Sequence, residues 1–251
     1  MLIGAMANAV RTSAALVSAD GVVLQQIGGG PGRESLAALV RQLQTETDRF
    51  GIGVVLDDPQ AAELKNLPPP LQVATVVQAL TWGEARFGIG RRYRDVAVVH
   101  AGIEIEVGLV LGGLVLPQPG RLGHTSVDRT GHWTCRCGRV GCLQALVDAA
   151  MQGLVPSAPA LPSTLPPAPS AAHSYLALGL VHLVNTLNPA AIVLAGPLID
   201  AAPDALFWLS HAVRTAALMP SRAGLIEVTA PHAGPLSILV GAAAFARGAD
   251  P

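Results

Sequence analysis

Residues 121–144 read Arg121-Leu122-Gly123-His124-Thr125-Ser126-Val127-Asp128-Arg129-Thr130-Gly131-His132-Trp133-Thr134-Cys135-Arg136-Cys137-Gly138-Arg139-Val140-Gly141-Cys142-Leu143-Gln144, and they hold all three cysteines of the 251-residue chain. An odd, clustered set of thiols does not make a disulfide framework; it points to a metal or a reactive thiol. Zinc accepts sulfur and nitrogen at about 2.3 and 2.0 Å and imposes no geometry of its own, so three thiolates and one imidazole complete a closed tetrahedral site. Cys135, Cys137 and Cys142 supply the sulfurs, and His124 or His132 supplies the nitrogen. Gly138 and Gly141 allow the backbone to wrap around the ion. The competing reading is a redox pair of Cys135 and Cys137, but Cys-x-Cys closes a small, strained ring. Structural zinc ties a loop down and does no chemistry.

Outward from this loop, the chain is 51% hydrophobic and 13% charged, which excludes a disordered protein. Aromatics make up only 4%, so the core must be built from Ala, Val, Leu and Ile. The formal net charge of -1 leaves no electrostatic footprint for nucleic acid or an acidic membrane, and Lys65 is the only lysine. No segment reaches the roughly 18 uninterrupted apolar residues of a membrane span. The nearest, Ala190 to Leu209, contains Pro197, Asp200, Pro203 and Asp204. Met1 opens onto strand-like sequence without a basic leader, so a cytoplasmic protein is expected.

Leu2 to Leu24 predicts two strands around the turn Ser18-Ala19-Asp20-Gly21. Glu34 to Phe50 has helical spacing, Ile52 to Leu56 suits a buried strand, and Gln72 to Phe87 reads as one helix. Asp95 to Leu116 reads as strand, Gly112-Gly113 turn, strand, with Ile103, Ile105 and Val107 facing inward and Glu104 and Glu106 wet. Six prolines between Leu154 and Ser170 predict an extended linker or surface loop. Beyond it come a helix at 171–187, a strand at 191–195, a helix at 203–217, a strand at 225–229 and a helix at 235–247. Alternation of this kind implies an α/β sheet covered by helices.

Gly123-His124 followed by Cys135-x-Cys137-Gly138-x-x-Gly141-Cys142-Leu143 resembles the hallmark segment of the ROK family, bacterial sugar kinases and sugar-responsive repressors. Glu84-Ala85-Arg86-Phe87-Gly88 is similar to the end of the helix after the family's catalytic motif. Asn185 to Gly196 is similar to its Asn-Pro-x-x-Ile-Val-x-Gly-Gly strand, and Gly241-Ala242-Ala243 to its closing helix. The resemblance implies an α/β, two-lobed actin-like, ribonuclease-H-like ATPase fold with a zinc-binding loop. It implies lobes at 1–92, completed by the helix near 235–251, and at 93–234, with the zinc loop at 123–142 and the Pro-rich linker at 154–170. It also implies a homodimer and structural Zn2+ on His124, Cys135, Cys137 and Cys142. The His124-to-Cys135 spacing is one residue longer than the family's, which keeps His132 as a substitute ligand.

The same resemblance implies that the kinase machinery is degraded. The family's Asn-Asp dyad, whose aspartate takes the hydroxyl proton, falls on Thr75-Val76, and valine accepts no proton. The first phosphate motif falls on Met6-Ala7-Asn8-Ala9-Val10 without its acid or its glycines. The second falls on Gly102-Ile103-Glu104-Ile105-Glu106, which sets two carboxylates where a polyphosphate would sit. Two of the family's sugar-binding glutamates are Arg121 and Gln144 here, while His124 is retained. The expectation is therefore no catalytic and no nucleotide-binding residues, with His124, Gln144 and Arg121 as candidate contacts for a sugar or sugar derivative, or for an anion paired to Arg121. The expected function is a non-catalytic ROK protein, a sensor or regulatory scaffold without direct nucleic-acid or membrane binding. The rivals are a divergent hexose kinase using ATP with Asp57, Asp58 or Glu84 as base, and a zinc-stabilised dimerisation module without a small ligand.

Overall fold

The computed structural model describes residues 1–8, 11–30, 33–44, 51–56, 71–128, 130–154, 161–218 and 226–247. The chain divides into two compact units: Met1–Arg94 with Val110–Gln118 and Pro231–Pro251, and Asp95–Leu109 with Pro119–Ala230. Asp57 and Asp58 lie outside the described residues.

In the first unit, β1 (Leu2–Ala7), β2 (Thr12–Val17) and β3 (Val23–Gly29) form an antiparallel meander. β4 (Gly51–Leu56) and β5 (Leu71–Ala74) add in parallel, giving the order β3-β2-β1-β4-β5. Strand alternation sends Ile3, Ala5, Ile52 and Val54 to one face, where they pack with Leu36, Leu39, Val40 and Leu43 of α1 (Arg33–Gln44). The opposite face receives α7 (Ser237–Ala246) at very close range. A Cβ at Gly4 would lie 1.8 Å from the Leu239 carbonyl oxygen, and one at Gly53 would lie 1.7 Å from that of Ala242. Only glycine in these strands permits that approach, and it lets an alanine-rich helix such as α7 form a core with so few aromatics.

The expected helix at 72–87 needs correction. Leu71–Ala74 is strand β5, paired with β4 from Ile52↔Leu71 to Val55↔Ala74, and the helix α2 runs only from Val76 to Arg86. Thr75 between them is extended (φ −74°, ψ 165°) and closes a capping box, its hydroxyl accepting from the Gln78 amide while Gln78 Oε1 accepts from the Thr75 amide. Apolar spacing alone did not reveal this break, because Val73 and Val77 keep a helical interval across it.

The second unit holds β6 (Val96–Ala101), β7 (Ile105–Leu111), β9 (Ala191–Ala195) and β10 (Glu227–Thr229) in the order β10-β9-β6-β7, with β6, β9 and β10 parallel. Val110 and Leu111, the last residues of β7, belong to the first unit, where the chain turns at Gly112-Gly113, both at positive φ, and they pair with β8 (Leu114–Val115). A second correction falls here: Ile103 is 82% exposed, because residues 102–104 form a bend between β6 and β7 and alternation starts only at Ile105. Helices α3 (Leu143–Met151), α4 (Ala171–Leu187) and α6 (Ala205–Ala216) cover the sheet through Leu143, Leu176, Leu180 and Leu209; the short α5 (Pro197–Asp200) follows β9. Residues 161–170 are irregular coil held onto this core by Leu161, Leu165 and Ala168, and the Trp208 indole donates to the Pro166 carbonyl at 2.9 Å.

Candidate metal centre

A short 3₁₀ turn at Leu122–His124, anchored by buried Leu122 and Gly123, presents the His124 imidazole. The chain then pairs Ser126 with Cys142 and closes a tight hairpin through Thr134↔Val140. The Cys135 amide donates to the Arg139 carbonyl (2.7 Å) and the Gly138 amide to the Cys135 carbonyl (2.9 Å), so Cys135 and Cys137 emerge from one turn. Gly141, at φ +74°, brings the loop against the Asp128 carbonyl, where a Cβ would sit 1.8 Å from the oxygen. Cys142 then caps the start of α3.

These constraints bring the donor atoms of His124, Cys135, Cys137 and Cys142 within 4.8 Å of one another. His132, the alternative nitrogen donor, is exposed and stands outside this cluster. The Cys135 Sγ to His124 Nδ1 distance is 3.5 Å and the Cys137 to Cys142 Sγ–Sγ distance is 3.7 Å. Tetrahedral zinc with bonds of about 2.3 Å to sulfur and 2.0 Å to nitrogen has edges of about 3.8 Å (S–S) and about 3.5 Å (S–N). The donor set therefore fits that ion. Without a cation the crowding is unfavourable: burial, then the neighbouring Cys137 and Cys135, push the Cys142 thiol up to about 12. A divalent cation reverses this, because it favours the thiolates that the crowded thiols disfavour in one another.

The loop also grips the bend after β6. The Arg121 guanidinium pairs with Glu104 at 2.5 Å and lies 3.9 Å from Glu106. Arg136, between two of the cysteines, donates to the Ile103 carbonyl and lies 4.0 Å from Glu104. Buried Gln144 accepts the Ile105 amide on Oε1 (2.8 Å) and donates from Nε2 to Asp148 (2.8 Å). Burial pushes Glu106 above the ordinary carboxylate range; Arg121 opposes that shift and Glu104 adds to it. Of the candidate ligand contacts, Arg121 and Gln144 thus have partners within the chain. The role of Arg136 escaped sequence reasoning, although its place inside Cys-x-Cys was a usable signal.

In the first unit, Val76 is the first residue of α2 and packs with Val55, Ala74, Ala79 and Ala242. Glu84 is 1% exposed. Its Oε1 accepts the His232 amide and Nδ1–H, each at 2.8 Å, and its Oε2 accepts the Ile89 amide at 3.1 Å. Burial alone would raise its pKa, but the His232 side chain and the His232 and Ile89 amides outweigh it and hold the carboxyl below its ordinary value. Asn8 closes a turn, its Oδ1 accepting the Arg11 amide at 2.9 Å.

The sequence model of the ROK family matches residues 36–159. This segment matches the ROK family. Among curated relatives, the xylose repressor of Bacillus subtilis (strain 168) is 26% identical over 157 residues, covering 55% of this chain and 40% of the repressor. The DNA-binding transcriptional repressor Mlc of Escherichia coli (strain K12) is 27% identical over 178 residues, covering 59% of this chain and 43% of Mlc. The chain thus spans less than half the length of these relatives. A ROK family glucokinase from Streptomyces griseus, solved with glucose and AMPPNP, has a TM-score of 0.68 at 21% identity, covering 98% of this chain and 99% of that one. ROK hexokinase from Thermus thermophilus has a TM-score of 0.71 at 21% identity, covering 96% of each chain. At such identities the likeness shows the fold, the actin-like α/β architecture of ROK proteins. Among the described residues no helix is long and apolar enough to cross a membrane.

Proposed function

We propose that this chain is a non-catalytic ROK protein, a cytoplasmic homodimer with structural zinc on His124, Cys135, Cys137 and Cys142, that senses a sugar or sugar derivative and acts as a regulator. The observation that carries the reading is Val76. At the position aligned with the family's catalytic carboxylate, an apolar side chain packs at the start of α2 against Val55 and Ala79. The phosphate-loop position supports it too. At about 4 Å a carboxylate repels a phosphate oxygen by roughly 1 kcal/mol in water and about 4 at the dielectric of a protein surface. Glu104 and Glu106 would each oppose ATP there, and Arg121 and Arg136 hold Glu104 in place. Glu84, a base for the rival kinase reading, already accepts three hydrogen bonds from protein donors.

Sugar as the ligand class follows from the relatives: a xylose repressor by sequence, and by fold a glucokinase solved with glucose and a Streptococcus pneumoniae ROK protein solved with sucrose. The test is a thermal-shift panel of sugars, sugar phosphates and magnesium-ATP, repeated after chelation. Stabilisation by a sugar without any magnesium-ATP effect is the expected result. Stabilisation by magnesium-ATP together with measurable sugar phosphorylation overturns the reading in favour of a divergent kinase. A response to chelation alone overturns the sensing role and leaves a zinc-stabilised dimerisation module.

A further inference from the structure

The first unit contains a cavity of about 500 Å³ that none of the metal-centre residues lines. Its walls come from three places: the β2–β3 turn (Ala19, Asp20), the end of α2 and the turn after it (Trp82, Arg86, Phe87, Arg91), and the β7–β8 turn (Gly113, Leu114, Val115). The volume is that of an ordinary small-molecule site. It lies at the C-terminal end of α2, whereas Val76, the position aligned with the kinase base, is at the N-terminal end.

Each wall is fixed independently of any ligand. The β2–β3 turn is closed by the Ser18 hydroxyl accepting the Val22 amide (3.1 Å), and it packs so tightly on Phe87 that a Cβ at Gly21 would lie 2.5 Å from the ring. Glu84 pins the segment after α2 through the Ile89 amide. The β7–β8 turn is clamped by Arg94, whose guanidinium donates twice to the Gly112 carbonyl (2.6 and 3.2 Å) and whose own carbonyl accepts the Gly113 amide (2.8 Å). On the inner side, Trp82 meets Phe245 edge-on at 6.2 Å. Preformed walls of this kind spare a ligand the cost of ordering them.

The lining is chemically mixed in a specific way. Arg86 lies over the Phe87 ring at 6.0 Å, Arg91 is exposed, and Asp20 is the one carboxylate among the described lining residues. Arg247 adds a further positive charge near Arg86; burial first, and that neighbour second, lower the Arg86 pKa. Trp82, Phe87, Val115 and the 73% exposed Leu114 supply apolar surface beside these cations. We propose that this cavity binds a small organic anion, its phosphate or carboxylate held by Arg86 and Arg91 and its ring or apolar body set against Trp82, Phe87 and Leu114. Guanidinium groups suit both anionic heads because they can donate two parallel hydrogen bonds.

The test is calorimetric titration at low ionic strength with phenyl phosphate, benzoate and glucose 6-phosphate, and with phenol, glucose and inorganic phosphate as the separated halves. At least one joined anion is expected to bind with Kd below about 1 mM, and the halves at least tenfold more weakly. Arg91→Ala, at an exposed position, and Leu114→Glu, which sets a carboxylate at the rim, are each expected to raise Kd about tenfold with Tm unchanged. Three results overturn the proposal: no joined anion binds with Kd below about 1 mM, both variants bind like the parent, or Arg121→Ala in the other unit abolishes the heat while Arg91→Ala does not.

Discussion

Glu84→Gln tests the reading of Glu84 as a buried clasp. In the parent, Oε1 accepts two donors from His232 and Oε2 accepts the Ile89 amide, all in a site 1% exposed. The amide keeps the volume but has only one accepting atom, so in either orientation an NH2 group faces a buried N–H. A lost hydrogen bond to a charged acceptor together with an unmatched buried donor is worth about 3 kcal/mol. For a chain of this size that corresponds to a fall in Tm of roughly 6–12 °C. The pH dependence has a definite sign. The folded pKa of Glu84 is held below 4.5, so its stabilisation is fully present above that value and is lost as pH falls through the folded one. The Glu84 contribution to the difference between parent and variant should therefore be fully present above about 4.5 and shrink below it. The assay is urea unfolding at a series of pH values, with circular dichroism to confirm the native fold. A variant that melts within about 1 °C of the parent at pH 7 refutes the clasp, as does a difference that does not shrink as pH falls below about 4.5.

Carefully purified protein is expected to carry about one equivalent of zinc by elemental analysis; less than about half counts against the site, and Cys142→Ser should abolish retention. Chelation should speed hydrogen exchange at the Ile105 amide, which Gln144 holds beside the metal loop, and an unchanged rate would separate the loop from the bend. Gly53→Ala drives a Cβ to within 1.7 Å of the Ala242 carbonyl oxygen and should cost about 3 kcal/mol or more in urea unfolding. Val76→Asp, at the half-buried first position of α2, should change stability by less than about 1 kcal/mol, because the helix N-terminus favours the new charge, and should yield no sugar phosphorylation in a coupled assay.

The parts of the molecule that were legible in the sequence are those whose physics is local. The metal cluster is readable because its four donors lie within 19 residues and thiols are otherwise missing from the chain. The helix at 171–187 and the strand at 191–195 follow from apolar spacing and the turns that bound them. The break at Thr75 escaped because a strand followed by a helix preserved the apolar interval, although Thr75-x-x-Gln78 is itself a capping-box signature. Ile103 was misplaced because alternation was carried through a bend that composition does not mark. The Glu84–His232 pair joins residues 148 apart, and nothing near either one announces the other. Gly4 and Gly53 were visible as glycines inside strands, the usual sign of a close backbone approach, but what approaches them is α7, from the far end of the chain.

The metal loop does more than tie itself down. Arg121 stands three residues before His124, Arg136 between Cys135 and Cys137, and Gln144 two residues after Cys142; all three hold residues 103–106. Arg121 and Arg136 are well exposed, so either ion pair alone contributes little in water. Their effect depends on both being anchored to one rigid loop, since a preset geometry removes most of the side-chain entropy that otherwise cancels such pairs. Zinc bound at the cluster would supply that rigidity and so fix the bend, the segment that the sequence resemblance aligns with the second phosphate motif of ROK kinases. On the proposed reading, the loop keeps its metal because it still has to hold this bend in one conformation, with Glu104 answered by arginine in place of a nucleotide answered by backbone amides.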